Sequence, residues 1–203
     1  MTNADRLFKR SFDIVVSFLG LAATWWVILL AFLIASIDTR RKGFFTQLRI
    51  GMDGKPFRVI KIRTMRDIPS FTTCVTTSQD PRITLLGQFF RKTKIDELPQ
   101  LINVFLGQMS FVGPRPDVPG YADILIGDDR VCLSIRPGIT GPATLKYRKE
   151  EELLAQQIDP EQYNRKVIFP DKVRINREYI ENYSFWNDIK CIFQTVFGRW
   201  QRC

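Results

Sequence analysis

The strongest pattern in the chain is an apolar run over residues 14–37 in which nothing carries a formal charge. As straight helix, at about 1.5 Å per residue, it extends about 36 Å, enough to cross a bilayer. Trp25, Trp26 and their neighbours leave no polar face, which argues against the core helix of a soluble domain. The run is too long for a signal-peptide core, and basic rather than small residues follow it. Lys9 and Arg10 precede it, and Arg40, Arg41 and Lys42 follow it. Basic clusters favour the cytoplasmic side, so both ends ask for the same side. A helix that enters, bends and returns satisfies both, whereas an ordinary single-pass anchor satisfies one. Gly20, Ala22, Ala23 and Thr24 lie near the middle, where the Thr24 hydroxyl can reach the Gly20 carbonyl and tilt the axis. Asp13, at the edge of the run, is placed to pair with Arg10 at the interface.

Beyond the run the period changes. Residues 44–49 and 56–63 are short, rich in β-branched, aromatic and basic side chains, and separated by Gly51-Met52-Asp53-Gly54, which predicts a β-hairpin. The second strand alternates apolar with cationic residues and brings Arg58, Lys61 and Arg63 toward an anion or simply toward solvent. Residues 65–80 read as a polar loop. Pro81 opens a helix with Ile83, Leu86, Phe89 and Phe90 on one side and Arg91, Lys92 and Lys94 near its end. Such a helix either lies in a membrane interface or packs on the core with a basic last turn.

The next stretch, residues 94–101, places Asp96 and Glu97 just before Leu98, Leu101, Ile102, Phe105 and Leu106, which recur at helical spacing. Pro99 suits the first turn and Gly107 the exit. The acids therefore lie beside the positive end of a helix dipole, either as caps or as chemistry. Downstream, Arg115 is locked between Pro114 and Pro116, and Arg136 opens a second stiff loop, Arg136-Pro137-Gly138-Ile139-Thr140-Gly141-Pro142. Arginine held at low entropic cost suits bidentate phosphate binding. Residues 150–157 predict a short acidic helix, 170–182 a mixed-charge solvated helix, and 184–202 an amphipathic helix with Ser184 as N-cap. The last carries Phe185, Ile189, Ile192, Phe193, Val196, Phe197 and Trp200 on a broad apolar stripe beside Lys190, Arg199 and Arg202, as suits a membrane surface.

Composition narrows the chemistry. The chain has 203 residues, a formal charge of +9 and no histidine. That fits one domain with an anionic partner, and it excludes a histidine base or a histidine-bearing metal site. The four cysteines, Cys74, Cys132, Cys191 and Cys203, are too dispersed for a metal knuckle and predict reduced thiols. No nucleotide-fold glycine loop and no nucleic-acid motif is present, so nucleic acid is not an expected partner. What remains is an aspartate able to accept a phosphoryl group, a neighbouring acid able to help hold Mg²⁺, and arginines to neutralise phosphate charge.

Five segments carry a resemblance: KRSFD at 9–13, FFTQLRIG at 44–51, KIRTM at 61–65, RKTKIDELPQLINVFLGQMSFVGPRP at 91–116 and RPGITG at 136–141. In this order they resemble the monotopic phosphoglycosyl transferases, a bacterial sugar transferase family acting on polyprenyl phosphate. The resemblance implies a re-entrant helix with the active site at the cytoplasmic face of the bacterial inner membrane. It implies transfer of a sugar 1-phosphate from a UDP-sugar to polyprenyl phosphate with release of UMP, Asp96 being the nucleophile of a ping-pong reaction. Glu97 then assists with Mg²⁺, which the two acids hold between them. Lys61, Arg63, Arg91, Arg115, Arg136 and Arg148 are the expected phosphate or substrate contacts, and Lys9, Arg10, Asp13 and Thr24 belong to the anchor. Three departures stand out. The family's Ser-Pro break is Thr24-Trp25-Trp26 here, Arg63 replaces a lysine, and PATLKYR follows RPGITG, with Arg148 standing for the motif's terminal arginine.

The expected architecture is α+β: a re-entrant helix with basic flanks over residues 1–42, then a catalytic core over 43–203. That core is a small cytosolic α/β unit with a β-hairpin, surrounded by interfacial amphipathic helices, and the whole resembles the minimal form of the family. A phospholipid membrane is an expected partner, and a homodimer is the default assembly. The reading from another class is a non-catalytic membrane scaffold that recruits glycan-assembly enzymes through its basic surface.

Overall fold

The computed structural model describes residues 1–68 and 80–198. The expectations for most of the polar loop, for Cys74 and Cys203, and for Arg199, Trp200 and Arg202 lie outside the described residues.

The chain opens with α1 (Asn3–Thr39), a helix of 37 residues. Thr2 caps it: its side chain accepts from the Asp5 amide while the Asp5 carboxylate takes the Thr2 amide in return. Helical hydrogen bonding continues through the Gly20–Thr24 region, where Thr24 Oγ1 donates to the Gly20 carbonyl at 2.7 Å. It is the one helix among the described residues long and apolar enough to cross a membrane.

One stripe of α1 is buried along nearly its whole length: Lys9, Asp13, Ser17, Ile28, Ala31, Ala35 and Thr39. Apart from Ile28, the side chains of that stripe are small or polar, so the globular body comes close. At Gly43 a Cβ would meet the Phe32 carbonyl oxygen at 2.1 Å, so only glycine lets the chain leave the helix along that path. The opposite face leaves Phe18, Trp25, Trp26, Leu29, Leu30, Leu33 and Ile37 exposed.

The predicted hairpin forms from β1 (Phe44–Ile50) and β2 (Pro56–Ile62), antiparallel, with Phe44 opposite Ile62 and Ile50 opposite Pro56. Its turn uses Asp53 at φ 59° and Gly54 at φ 76°, a pair of left-handed residues suited to Asp-Gly. Then come α2 (Leu85–Thr93) and α3 (Gln100–Phe105). α2 starts later than Pro81 suggests, because the Thr84 hydroxyl accepts from the Gly87 amide at 2.8 Å and fixes the first turn there. A second, parallel pair joins β3 (Ser110–Val112) to β4 (Gly138–Thr140). A Cβ on Gly138 would stand 2.2 Å from the Gly113 nitrogen, so the crossing of these two stiff loops requires glycine.

The rest is helical: α4 (Pro142–Lys146), α5 (Glu150–Ala155), α6 (Pro160–Tyr163), a π-helical turn (Asn164–Ile168), α7 (Phe169–Glu181) and α8 (Phe185–Phe197). Two expectations change. α7 is not simply solvated: Val173, Asn176, Tyr179 and Ile180 are buried at helical spacing, and Tyr179 and Ile180 pack with Val112, Ile135, Leu145 and Cys191. Ser184 occupies the N-cap of α8, but its hydroxyl makes no capping bond.

Two polar side chains tie the layers together. Asn103, fully buried on α3, donates Nδ2 to the Arg58 carbonyl at 2.8 Å and accepts from the Ile60 amide at 3.1 Å. It thereby occupies the free edge of β2 and fixes α3 against the strand that carries Lys61. Asp13 does not pair with Arg10 as expected. Its Oδ1 accepts from Ser110 Oγ and the Phe111 amide, each at 3.1 Å, because the stripe position that it holds faces β3 and is only 2% exposed. Arg10 instead donates to the Val104 and Phe105 carbonyls at 2.7 and 2.8 Å, at the carbonyl end of α3.

Candidate active site

α2 ends at Lys94, whose left-handed backbone (φ 60°) turns the chain into a 3-10 turn over Ile95–Glu97. The turn ends before α3 begins, and neither carboxylate caps that helix; its N-cap position is Pro99, without a side-chain bond. The capping reading of the acid pair therefore fails, and the two acids are free for other work.

Their surroundings differ. Asp96 is 8% exposed, and its Oδ1 is buried without a hydrogen-bond partner among the described residues. Burial, reinforced by the neighbouring Glu97 charge, raises its pKa above the ordinary aspartate value; Lys61, Lys94 and Arg91 oppose this. Glu97 Oε1 accepts from Lys61 Nζ at 3.1 Å and from Arg115 Nη2 at 2.7 Å. Burial opposes ionisation of Glu97 too, but Arg115 and Lys61 together outweigh it and hold the carboxyl well below the usual range. Arg115 is held more firmly charged by Glu97, while burial lowers the Lys61 ammonium despite that same partner.

The Arg115 loop is pinned from β1. Arg49 Nη1 donates to the Pro116 carbonyl at 3.1 Å, and the Ile50 amide donates to the Asp117 carbonyl at 2.9 Å. The proline-locked guanidinium is thus also anchored at its next two residues.

These groups line a cleft of about 1300 Å³. Lys61, Arg63, Arg91, Asp96, Glu97, Arg115 and Arg148 all border it. Arg91, in the last turn of α2, is ion-paired with Glu151 of α5. Arg63 donates to the Lys42 carbonyl at 3.0 Å and stacks over Phe45. Arg148 holds the Thr195 carbonyl of α8 at 2.9 Å. Arg136 is not among the cleft-lining residues; its Nε donates to the Gly107 carbonyl at 2.8 Å, a tie at the exit of α3. Lys9, Arg10, Asp13 and Thr24 stand away from the cleft along α1.

Sequence reasoning missed the far wall. Asp117, Thr144, Tyr147, Glu150, Lys172 and Asn176 border the same cleft. Lys172 Nζ is 2.7 Å from Glu150, and burial pushes Asp117 up to about 6 although Lys172 and Arg49 lower it. Asp117 directly follows the stiff Pro-Arg-Pro, which was the available signal. Lys172 and Asn176 lie on the helix that reads as solvated in sequence.

A divalent cation fits the acid pair. Among the described residues Asp96 Oδ1 is an orphaned buried oxygen, and both hydrogen bonds of Glu97 fall on Oε1, leaving Oε2 without one. Among the described residues no cluster of three or more Cys, Asp or Glu could cage a metal ion by itself. Mg²⁺ bound by one or two carboxylates plus ligand phosphates asks for no such cage.

Comparisons with known proteins give the family. The sequence profile described as bacterial sugar transferase matches residues 4–202. The chain is 37% identical over 202 residues to the UDP-glucose:undecaprenyl-phosphate glucose-1-phosphate transferase of Escherichia coli (strain K12), covering 97% of this chain and 41% of that protein. It is 36% identical over 200 residues to the undecaprenyl-phosphate glucose phosphotransferase of Komagataeibacter xylinus, covering 95% and 36%. It is 32% identical over 190 residues to the uncharacterized sugar transferase EpsL of Bacillus subtilis (strain 168), covering 94% and 86%. The chain thus spans about two fifths of the length of the first two relatives.

Proposed function

The chain belongs to the bacterial sugar transferase family, and on that premise we propose that it moves a sugar 1-phosphate from a UDP-sugar to polyprenyl phosphate. The single observation that carries this reading is Asp96: a buried carboxylate with one unpartnered oxygen, bordering a cleft lined with cations.

In the first step an Asp96 oxygen attacks the sugar-bearing phosphorus. The bond from that phosphorus to the bridging oxygen breaks, and UMP leaves with the electron pair. An aspartyl phosphosugar remains. In the second step an oxygen of polyprenyl phosphate attacks the same phosphorus, the acyl-phosphate bond breaks, and the Asp96 carboxylate is regenerated. Splitting one displacement between two anions into two steps is what a covalent nucleophile offers. Lys61 and Arg115 surround the approach with positive charge while Glu97 keeps their geometry fixed. Arg91 supplies a guanidinium at the end of α2 for a phosphate oxygen. Glu97 Oε2, with Asp96 beside it, would hold Mg²⁺, which supplies charge neutralisation of the diphosphate.

In the same reading the protein lies on the cytoplasmic face of the inner membrane, with α1 dipping into one leaflet and returning. Two facts support this. Both ends of α1 are tied to one globular body, through Lys9 and Arg10 at the start and through the Asp38 carbonyl, which accepts from Arg66 at 3.0 Å, at the end. From Ile14 to Ile37 every exposed position of the helix is apolar.

The test is intact-mass measurement after incubation with Mg²⁺ and a panel of UDP-sugars without acceptor. One sugar-phosphate adduct is expected, absent from Asp96→Asn. Near-normal UMP release by Asp96→Asn would overturn the nucleophile assignment.

A further inference from the structure

Beyond Arg115 the cleft continues between the 116–121 loop, α4 and α7. Two polar atoms there are buried with no hydrogen-bond partner among the described residues: Asn176 Oδ1 and Thr144 Oγ1. Asn176 is only 8% exposed. Leaving such an atom unmet is costly, and native proteins keep few of them without a reason. α4 and α7 pack against each other, so both atoms belong to one wall. Asp117 also borders this part of the cleft. Its backbone is pinned to β1, and among the described residues its carboxylate accepts no hydrogen bond.

We propose that Asp117, Thr144 and Asn176 form the subsite that reads the hydroxyl groups of the donor's sugar ring. This rests on the transferase reading above. The chemistry of the three groups selects the ligand. Asp117 and Asn176 Oδ1 accept hydrogen bonds, and Thr144 can accept or donate, so the ligand must bring several donors. A carboxylate repels phosphate, so the ligand portion here is uncharged, while the phosphates go to Lys61, Arg91 and Arg115. The donor has two uncharged ends. At the nucleoside end, uracil carries one N–H donor and two carbonyl acceptors, which would meet the acceptors here poorly, and the ribose adds only two hydroxyls. A sugar ring carries several hydroxyls, and it is attached to the phosphorus that Asp96 attacks. Lys172, held by Glu150 at 2.7 Å, acts on Asp117 through its charge, which favours the carboxylate form.

The experiment compares full-chain wild type, Asp117→Asn, Asn176→Leu and the near-isosteric Thr144→Val. It measures kcat/KM for UDP-glucose, UDP-galactose and UDP-N-acetylglucosamine by UMP release, and product inhibition by UMP alone. A site built on hydrogen bonds discriminates steeply against a ligand that lacks them. The expected result is a change of about tenfold or more in the ratio of kcat/KM between sugars, with the UMP inhibition constant within about twofold of wild type. Unchanged ratios in both Asp117→Asn and Thr144→Val, folded by thermal melt, would overturn the subsite. So would a UMP constant that weakens in step with KM, because the pocket would then hold the nucleoside. Wild type that releases UMP from no donor would instead remove the transferase reading, and the subsite with it.

Discussion

Arg115 Nη2 lies 2.7 Å from Glu97 Oε1, while Asp96, the preceding residue in the chain, has a buried oxygen with no partner among the described residues. Neighbouring acids placed in unlike environments take unlike roles. Here Glu97 organises cations and Asp96 stays available. Arg115→Leu is expected to lower the rate of adduct formation by about 10²–10³, the range seen when one charge-stabilising donor is removed. Arg115→Lys should recover only part, since a point charge does not reproduce a planar fork. A rate within about threefold of wild type in Arg115→Leu, measured by quenched mass spectrometry, would remove Arg115 from the phosphate path.

Arg91 is held by Glu151, a residue of the short helix α5, across the cleft. A donor phosphate that binds Arg91 must displace that carboxylate. Glu151→Gln should therefore lower KM for the UDP-sugar severalfold, by removing a competing anion, with kcat little changed. A higher KM would mean that Glu151 instead orients Arg91 for the phosphate.

Lys9 and Asp188 form an ion pair whose side chains are 8% and 2% exposed, with Tyr179 and Tyr183 also donating to the carboxylate. Breaking a buried pair from one side strands the other charge. Lys9→Met is expected to cost about 3–5 kcal/mol, seen as a lower thermal midpoint in detergent. Lys9→Met with Asp188→Asn should cost less than the two single changes added together, and strict additivity would show that they do not interact.

That pair also marks where sequence reading stops. Lys9 and Arg10 look like the basic flank of a membrane helix, and nothing local separates a headgroup contact from a partner 179 residues away. The hairpin, the α2 and α3 region and the acid pair were legible, because period, Asp-Gly turn chemistry and the block around Asp96 are local signals. Arg136 and Arg115 share the same proline-rich dress, yet one lines the cleft and the other ties off α3. The difference is set by the parallel pairing of β3 with β4, which carries no short-range signature. Asn176 reads as one more polar residue on a charged helix, and only long-range packing, of which α4 on α7 is part, buries it.

Asp117 should make stability depend on pH in an unusual direction. Lys172, Arg49, Arg115, Glu150 and Cys132 surround it, and burial raises its pKa from 3.8 to about 6. Between those values the folded chain keeps the proton and the unfolded chain releases it. Stability from this group is therefore complete at low pH and falls as pH rises toward about 6. The loss is on the order of 1–2 kcal/mol once solvent at the cleft is allowed for. Asp117→Asn should raise the thermal midpoint more at pH 7.5 than at pH 4. An equal or smaller gain at pH 7.5 would show that the carboxylate is stabilised as the anion.

The topology of α1 can be decided by labelling. The helix is 37 residues long, roughly 55 Å at about 1.5 Å per residue, against a hydrocarbon core of about 30 Å. A spanning helix would carry one end to the far side of the membrane. It would have to release either the Lys9 and Arg10 contacts with α8 and α3, or the Asp38 contact with Arg66 and the packing of Ala31 and Ala35 on Ile62 and Phe90. Releasing the first strands Asp188 as a buried anion, and releasing the second opens an apolar core. Both costs vanish when the two ends stay on the side of the globular body. In a background without native cysteines, Ala4→Cys and Lys42→Cys should both react with an impermeant maleimide in inverted membrane vesicles. Neither should react in spheroplasts. Opposite reactivity of the two positions would establish a spanning helix and require the two sets of contacts to form at different times.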